Sequence, residues 1–187
     1  MRASDGSEAL TREEVIAILL QLLTAGNETT TSLIGSALLL LLENPDVEAR
    51  IRADDALLDP FIEEVLRLET PLHGHFRLVR RDTEVAGVPL PQGSRVMLLW
   101  GAANRDGDEF PNPDAIDLTR RNAKAHLAFG LGIHHCIGAA LARLEARVTL
   151  ETLLARTSEL RRADGKIAHV PSLLVRSLAS LPVELAS

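Results

Sequence analysis

Apolar positions in this chain recur mainly at helical spacing. Two apolar runs, Val15 to Leu23 and Leu33 to Leu42, flank the polar stretch Thr24-Ala25-Gly26-Asn27-Glu28-Thr29-Thr30-Thr31. Thr11-Arg12-Glu13-Glu14 precedes them as a capping box, a Thr N-cap with Glu three residues on. No proline intervenes before Asn44-Pro45, so the spacing predicts one helix of about thirty residues, roughly 45 Å long. Residues 1–10 read as a polar lead-in. A short helix is predicted from Pro45 to about Arg52, then a linker from Asp54 to Leu58. A further helix to about Leu68 takes Asp59 as N-cap, and Pro71 ends it. Leu72 to Arg77 is extended, and strands at Thr83–Gly87 and Ser94–Trp100 flank the turn Pro91-Gln92-Gly93. Ile137, Leu141, Leu144 and Val148 mark one face of a later helix. The pattern predicts a mainly α protein with small β-sheets, class α+β.

Composition narrows the function classes. With 187 residues and 46% apolar content the chain is long enough for one domain with a core. A net charge of −6 argues against nucleic acid as a partner. The opening eleven residues lack the apolar core of a signal peptide, and both apolar runs are shorter than a membrane span, so no membrane partner is expected. A single cysteine excludes an internal disulfide framework and fits a reducing, cytoplasmic compartment.

The chemistry concentrates in Phe129-Gly130-Leu131-Gly132-Ile133-His134-His135-Cys136-Ile137-Gly138. Cys136 sits where a glycine-rich loop turns into a helix. Unbonded N–H groups and the positive dipole end of a helix favour an anion there. A thiol so placed is readily held as thiolate, the form that binds metal or attacks an electrophile. Gly130 and Gly132 let backbone pass close to something flat and bulky. A lone thiolate without partners at zinc spacing makes a poor zinc site. It suits a single axial ligand to a haem iron, where the porphyrin supplies the other four bonds. Burial as a bystander is the ordinary fate of a lone cysteine, and the glycine frame argues against it.

The decapeptide matches Phe-Gly-x-Gly-x-(His/Arg)-x-Cys-x-Gly at every defined position. It resembles the haem-ligand signature of the cytochrome P450 family of haem-thiolate monooxygenases. The resemblance implies haem b as cofactor and Cys136 as iron ligand. It places Phe129, Gly130, Gly132 and Gly138 around the haem and His134 on one propionate. A second motif lies in the long helix, where Gly26 costs about 1 kcal/mol against Ala and Thr29 to Thr31 are β-branched. Local violations inside a strong helix are where function is expected. The Thr29 hydroxyl can bond the Ala25 carbonyl. Ala25-Gly26-Asn27-Glu28-Thr29-Thr30 resembles the family's central-helix signature. That implies Ala25 and Gly26 against the cofactor, and Glu28 and Thr29 handling protons during oxygen activation.

Glu64-Val65-Leu66-Arg67 matches the family's Glu-x-x-Arg, a structural pair buried on the thiolate side. An ordinary surface pair between Glu63 and Arg67 is the alternative, and burial decides between them. Arg77, five residues before Asp82, fits the arginine that grips a propionate, with Arg80 and Arg81 as alternatives. Leu72, His73 and Leu174, the last at the tip of a hairpin over residues 171–181, would line the substrate pocket. The loop before the cysteine departs from the family: Ala115 stands where an Arg or His usually completes a triad with Glu64 and Arg67, and Ile116 replaces an aromatic. Arg120 and Arg121 are candidate substitutes. His126 and His135 have no matched role and read as surface or loop histidines.

The resemblance runs from about Thr11 to Val183 and implies the C-terminal part of the cytochrome P450 fold, with residues 11–187 as one haem-binding portion. Family members are about twice this long, and the remainder is N-terminal. Three readings follow. In the first, the chain is the C-terminal portion of a soluble bacterial-type monooxygenase. Such an enzyme inserts one oxygen atom of O2 into a hydrophobic organic substrate with electrons from a ferredoxin-type donor. In the second it is a short, non-catalytic haem-binding module. In the third it is a folding fragment that self-associates through the bared apolar face. The first accounts best for the motifs.

Overall fold

The computed structural model describes residues 10–186, so the expected lead-in lies, apart from Leu10, outside the described residues. Helix α1 spans Arg12–Glu43, 32 residues and about 48 Å of rise. The capping box forms: the Glu14 amide donates to Thr11 Oγ1 at 3.2 Å, and the Thr11 amide donates to the Glu14 carboxylate at 2.8 Å. The Thr11 amide foremost, and the Thr11 hydroxyl that also donates to the carboxylate at 3.0 Å, hold the Glu14 carboxyl below its ordinary range. At the other end Asn44 Nδ2 donates to Leu40 O at 2.8 Å, and Pro45 opens α2, Pro45–Ala53.

The expected linker and the expected cap at Asp59 are both corrected. Asp54 accepts the Ala56 amide at 3.1 Å and caps a 3-10 turn over Asp55–Leu57. That turn runs straight into α3, Leu58–Leu68, because a closer cap has already satisfied the entry. Asp59 lies in the first turn and pairs with Arg147 at 2.7 Å instead.

The core is built around α3, which is enclosed on nearly every side. Leu58, Phe61, Ile62, Val65 and Leu66 meet Leu33, Ala37 and Leu41 of α1, one row at a spacing of four. Val47 and Ile51 of α2 close one flank. Ala146 and Leu150 close another, from α5, Ala139–Arg156. The face expected from Ile137, Leu141, Leu144 and Val148 is not the packed one. These side chains are exposed, and α5 packs through Ala139, Ala146 and Leu150, because small residues let it approach α1 and α3 closely. The first half of α1 is bare as well: Val15, Ile16, Ile18, Leu19, Leu20, Leu22 and Leu23 are all exposed.

Among the described residues, four two-stranded antiparallel sheets complete the fold. The expected hairpin about Pro91-Gln92-Gly93 is corrected. Strand β1, Gly74–Leu78, pairs with β4, Arg95–Leu99, while β2, Thr83–Val85, pairs with β3, Val88–Leu90. Ala86 (φ 50°) and Gly87 (φ 79°) form the two-residue turn, with the left-handed backbone at both positions that such hairpins require. The 91–93 turn only returns the chain to β1. Gly74 is obligatory in that pairing, since a Cβ there would lie 2.3 Å from Leu98 O. Helix α4, Trp100–Ala103, follows β4.

Beyond α5, β5 (Glu159–Arg162) pairs with β8 (Val183–Ala186), and β6 (Ala168–His169) with β7 (Leu178–Ser180). The β6–β7 loop reaches back across the chain. Val175 bridges Leu72, and the His73 amide donates to Leu174 O at 2.7 Å. The expected C-terminal hairpin therefore sets its tip against the segment after α3. The observed class is α+β, as predicted.

Candidate functional site

The cysteine loop leaves the core at Phe129 and returns at α5. Gly130 (φ 67°) and Gly132 (φ 70°) take left-handed backbone, so glycine is required at both. A Cβ on Gly132 would meet no atom within 4 Å, which leaves that face of the loop open. A 3-10 turn over Gly132–His134 follows, and the Cys136 amide donates to Phe129 O at 2.9 Å, closing the loop. Cys136 is a free, exposed thiol. Leu131, Ile133 and Ile137, apolar neighbours of Cys136 in the sequence, are 76%, 97% and 95% exposed. Gly138, just before α5, sits with its Cβ position 3.8 Å from the sulfur.

Behind the loop lies a buried ionic core. Glu64 and Arg67 are both fully buried, which excludes the surface-pair alternative. Glu64 accepts Arg67 Nε at 2.8 Å, Arg67 Nη2 at 2.9 Å and the Asp117 amide at 2.9 Å. Arg67 also donates to the carbonyls of Asn104 (3.1 Å), Pro113 (2.5 Å) and Ala115 (3.0 Å). The absent partner at Ala115 is supplied by Arg120. Its Nε donates to Glu64 at 3.0 Å, and its other nitrogens bond the carbonyls of Pro111, Asn112 and Ala115. Asn104, also fully buried, accepts the Leu127 amide at 2.6 Å and donates to Thr70 at 2.7 Å, tying the loop's approach to the end of α3.

His126 corrects its surface reading. It is buried, and its Nε2 lies 3.1 Å from Glu63. Arg143 of α5 donates to the two oxygens of Glu63 at 2.6 and 3.0 Å and covers the Phe129 ring at 4.5 Å. Burial pushes the Glu63 carboxyl up. Hydrogen bonds from His126 and Arg143, with the Arg143 charge, more than reverse this and hold it at about 2 against an ordinary 4.5. The carboxylate therefore contributes stability that is complete above pH 4.5 and is lost as pH falls through about 2. Urea unfolding at stepped pH should show a decline on the order of 3 kcal/mol from this group across that window. Glu63→Gln should remove that component of the slope.

His75 lies within electrostatic reach of both Arg77 and His134. Burial first, then these two charges, lower its pKa. Trp100 Nε1 donates to His75 Nδ1 at 3.0 Å. Arg77 is exposed and donates to the Phe76 carbonyl, while Arg80 and Arg81 are also exposed. The residues expected at a substrate pocket, Leu72, His73 and Leu174, meet where the β6–β7 loop docks. Burial, and next the Arg176 charge, lower the pKa of His73, with Glu69 opposing. On α1, Thr29 Oγ1 donates to Ala25 O at 2.6 Å as expected. Ala25, Gly26 and Glu28 are exposed, and a Cβ on Gly26 would meet nothing within 4 Å.

Sequence reasoning missed Asn104, Glu63, His126 and Arg143. One signal was present: Ala139, Arg143, Ala146 and Leu150 share a helical row, so Arg143 points inward. The donor set suits a metal that brings its own equatorial ligands. Among the described residues no group of three His, Cys, Asp or Glu side chains could hold an ion, whereas one free thiol stands on a loop whose apolar side chains Leu131, Ile133 and Ile137 are exposed. A flat, apolar, anionic haem fits these residues. Among the described residues no helix is long and apolar enough to cross a membrane.

Known proteins resemble this chain in sequence and fold. Residues 1–158 match the family model described as Cytochrome P450. The chain is 48% identical over 164 residues to cytochrome P450 144 of Mycobacterium tuberculosis, which covers 88% of this chain and 38% of that protein. The solved cytochrome P450 CYP109Q5 of Chondromyces apiculatus superposes with a TM-score of 0.90 at 47% identity, over 96% of this chain and 46% of that one. CYP109E1 of Bacillus megaterium, solved with corticosterone, gives 0.93 at 35% identity, over 99% and 50%. The chain thus spans half or less of the length of these relatives.

Proposed function

Since this chain belongs to the cytochrome P450 family, whose cofactor is haem b, we propose that residues 11–187 are the C-terminal haem-binding portion of a soluble bacterial-type monooxygenase. The parent activity inserts one oxygen atom of O2 into a hydrophobic organic substrate, in the cytoplasm, with electrons from a ferredoxin-type donor. One observation carries this reading: a lone free, exposed thiol on a left-handed glycine loop whose apolar side chains are exposed with it. Bound haem supplies the redox and oxygen-activating chemistry.

The chain's own residues bind, orient and move protons. Cys136 Sγ is the iron ligand, and its amide bond to Phe129 O holds the loop in shape. Arg77 and His134 take the propionates; a guanidinium matches a carboxylate with two parallel bonds. Ala25 and Gly26 present bare helix backbone to the cofactor. Thr29 has spent its proton on Ala25 O, so its oxygen is free to accept one, and Glu28 beside it is the acid that relays protons. Leu72, His73 and Leu174 contact substrate.

Haem titration of the purified chain tests this reading. One tightly bound haem per chain is expected; no saturable binding would sink it. Gly26→Ala sharpens the test. The haem-free chain should gain about 1 kcal/mol of stability, since nothing obstructs a methyl there. Haem affinity should fall at least about tenfold, because the methyl enters the cofactor's space. Equal affinity in both forms would remove Gly26 from the site.

A second reading is favoured by the bare apolar face of α1, by Ile137 and by Leu141, Leu144 and Val148 of α5. A surface so apolar self-associates or takes another chain. Sedimentation of the haem-loaded chain separates the two: a monomer that keeps its haem speaks against this second reading.

A further inference from the structure

The proposed chemistry leaves unused the buried cluster of Glu63, His126 and Arg143. The hydrogen bonds assign its protons. Ala128 N–H donates to His126 Nδ1 at 3.2 Å, so the proton lies on Nε2, which donates to Glu63. The Glu63 carboxylate thus faces one imidazole N–H and one guanidinium. Arg143 clasps both Glu63 oxygens, and its guanidinium carbon stands 4.5 Å from the centroid of the Phe129 ring. The His126 ring flanks Phe129 at 5.9 Å. The carbonyl of that same Phe129 accepts the Cys136 amide. Phe129 therefore takes the cluster on its ring and the cysteine loop on its backbone. The strongly depressed Glu63 carboxyl keeps the negative charge in place across the working pH range.

We propose that Glu63, His126 and Arg143 are positioning residues for the cysteine loop: Arg143 clamps Phe129, and Glu63, oriented by His126, neutralises the guanidinium so that its charge does not draw electron density from the Cys136 sulfur. None of the three touches the ligating sulfur. This rests on the reading of Cys136 as a haem ligand. A cation without its carboxylate beside a metal–thiolate disfavours the more positive, oxidised metal.

The test uses the full chain as wild type, Glu63→Gln and Arg143→Lys. Glutamine keeps the shape of Glu63 and removes its charge. The Glu63→Gln holoprotein should show a more positive reduction potential, with the ferric-to-ferrous ratio changed about tenfold, or about 59 mV for one electron. Its reduced carbon monoxide complex should keep the wild-type band. Arg143→Lys keeps the charge and loses the planar clamp. It should leave the potential closer to wild type, while the Cys136 amide of the haem-free chain exchanges its hydrogen at least about tenfold faster. A cluster that only supports the fold would lower stability in both variants without separating these readouts. An unmoved potential in Glu63→Gln overturns the charge role, and unchanged Cys136 exchange in Arg143→Lys overturns the clamp. A wild-type chain with no thiolate band contradicts the haem reading instead, and the exchange measurement still decides the clamp.

Discussion

Replacing Cys136 with serine is expected to leave the chain folded and to abolish the red-shifted Soret band of its reduced, carbon monoxide-bound haem complex. The side chain is exposed and packs against nothing that a hydroxyl would disturb, so stability should move by less than about 0.5 kcal/mol. The serine amide keeps the bond to Phe129 O, and the loop keeps its shape. What is lost is the soft, anionic sulfur, the feature that distinguishes thiolate ligation from every other donor in the loop. Absorption spectra of both proteins, with circular dichroism to confirm folding, settle it. A histidine-type band in both proteins would mean that another side chain, His134 or His135 foremost, holds the iron.

The largest effect on stability should come from Glu64→Leu or Arg67→Leu. Each partner is fully buried, and each is satisfied only by the other and by the elements around them. Removing Arg67 leaves a buried carboxylate with only the Asp117 amide and Arg120. Removing Glu64 leaves a buried guanidinium facing carbonyls. Stranding one charge of such a pair costs about 3–5 kcal/mol. A domain of this size has roughly 5–15 kcal/mol in all, so either variant should be largely or wholly unfolded under mild denaturant. Arg120→Ala is a graded control. It removes one charged bond to Glu64 and several to carbonyls, for about 1.5–3 kcal/mol. Urea midpoints measure all three. A loss below about 1 kcal/mol for either leucine variant would show that water reaches the pair and that the core is looser than its burial implies.

The local rules carried the reading a long way. Thr11 with Glu14 announced where α1 begins, Asn44-Pro45 where it ends, and Thr29 bonds Ala25 as its β-hydroxyl allows. Those features depend on neighbours within a turn. The failures depend on partners far along the chain. Ala86-Gly87 lacks the Asn-Gly or Asp-Gly of a strong hairpin turn, so the more conspicuous Pro91-Gln92-Gly93 took its place. Periodicity showed that Ile137, Leu141, Leu144 and Val148 share a face but not whether this chain covers it. His126 looked like any loop histidine because its partners, Glu63 and Arg143, come from α3 and α5. For the same reason Arg120 and Arg121 were indistinguishable in the sequence. Only the fold brings Arg120 onto Glu64.

The central claim is that Cys136 of this chain ligates haem iron as thiolate, and one spectrum tests it. The purified chain is loaded with haem, reduced and exposed to carbon monoxide. The account predicts a strongly red-shifted Soret band that vanishes in Cys136→Ser. A band typical of histidine or neutral-thiol ligation, or no bound haem, would contradict it.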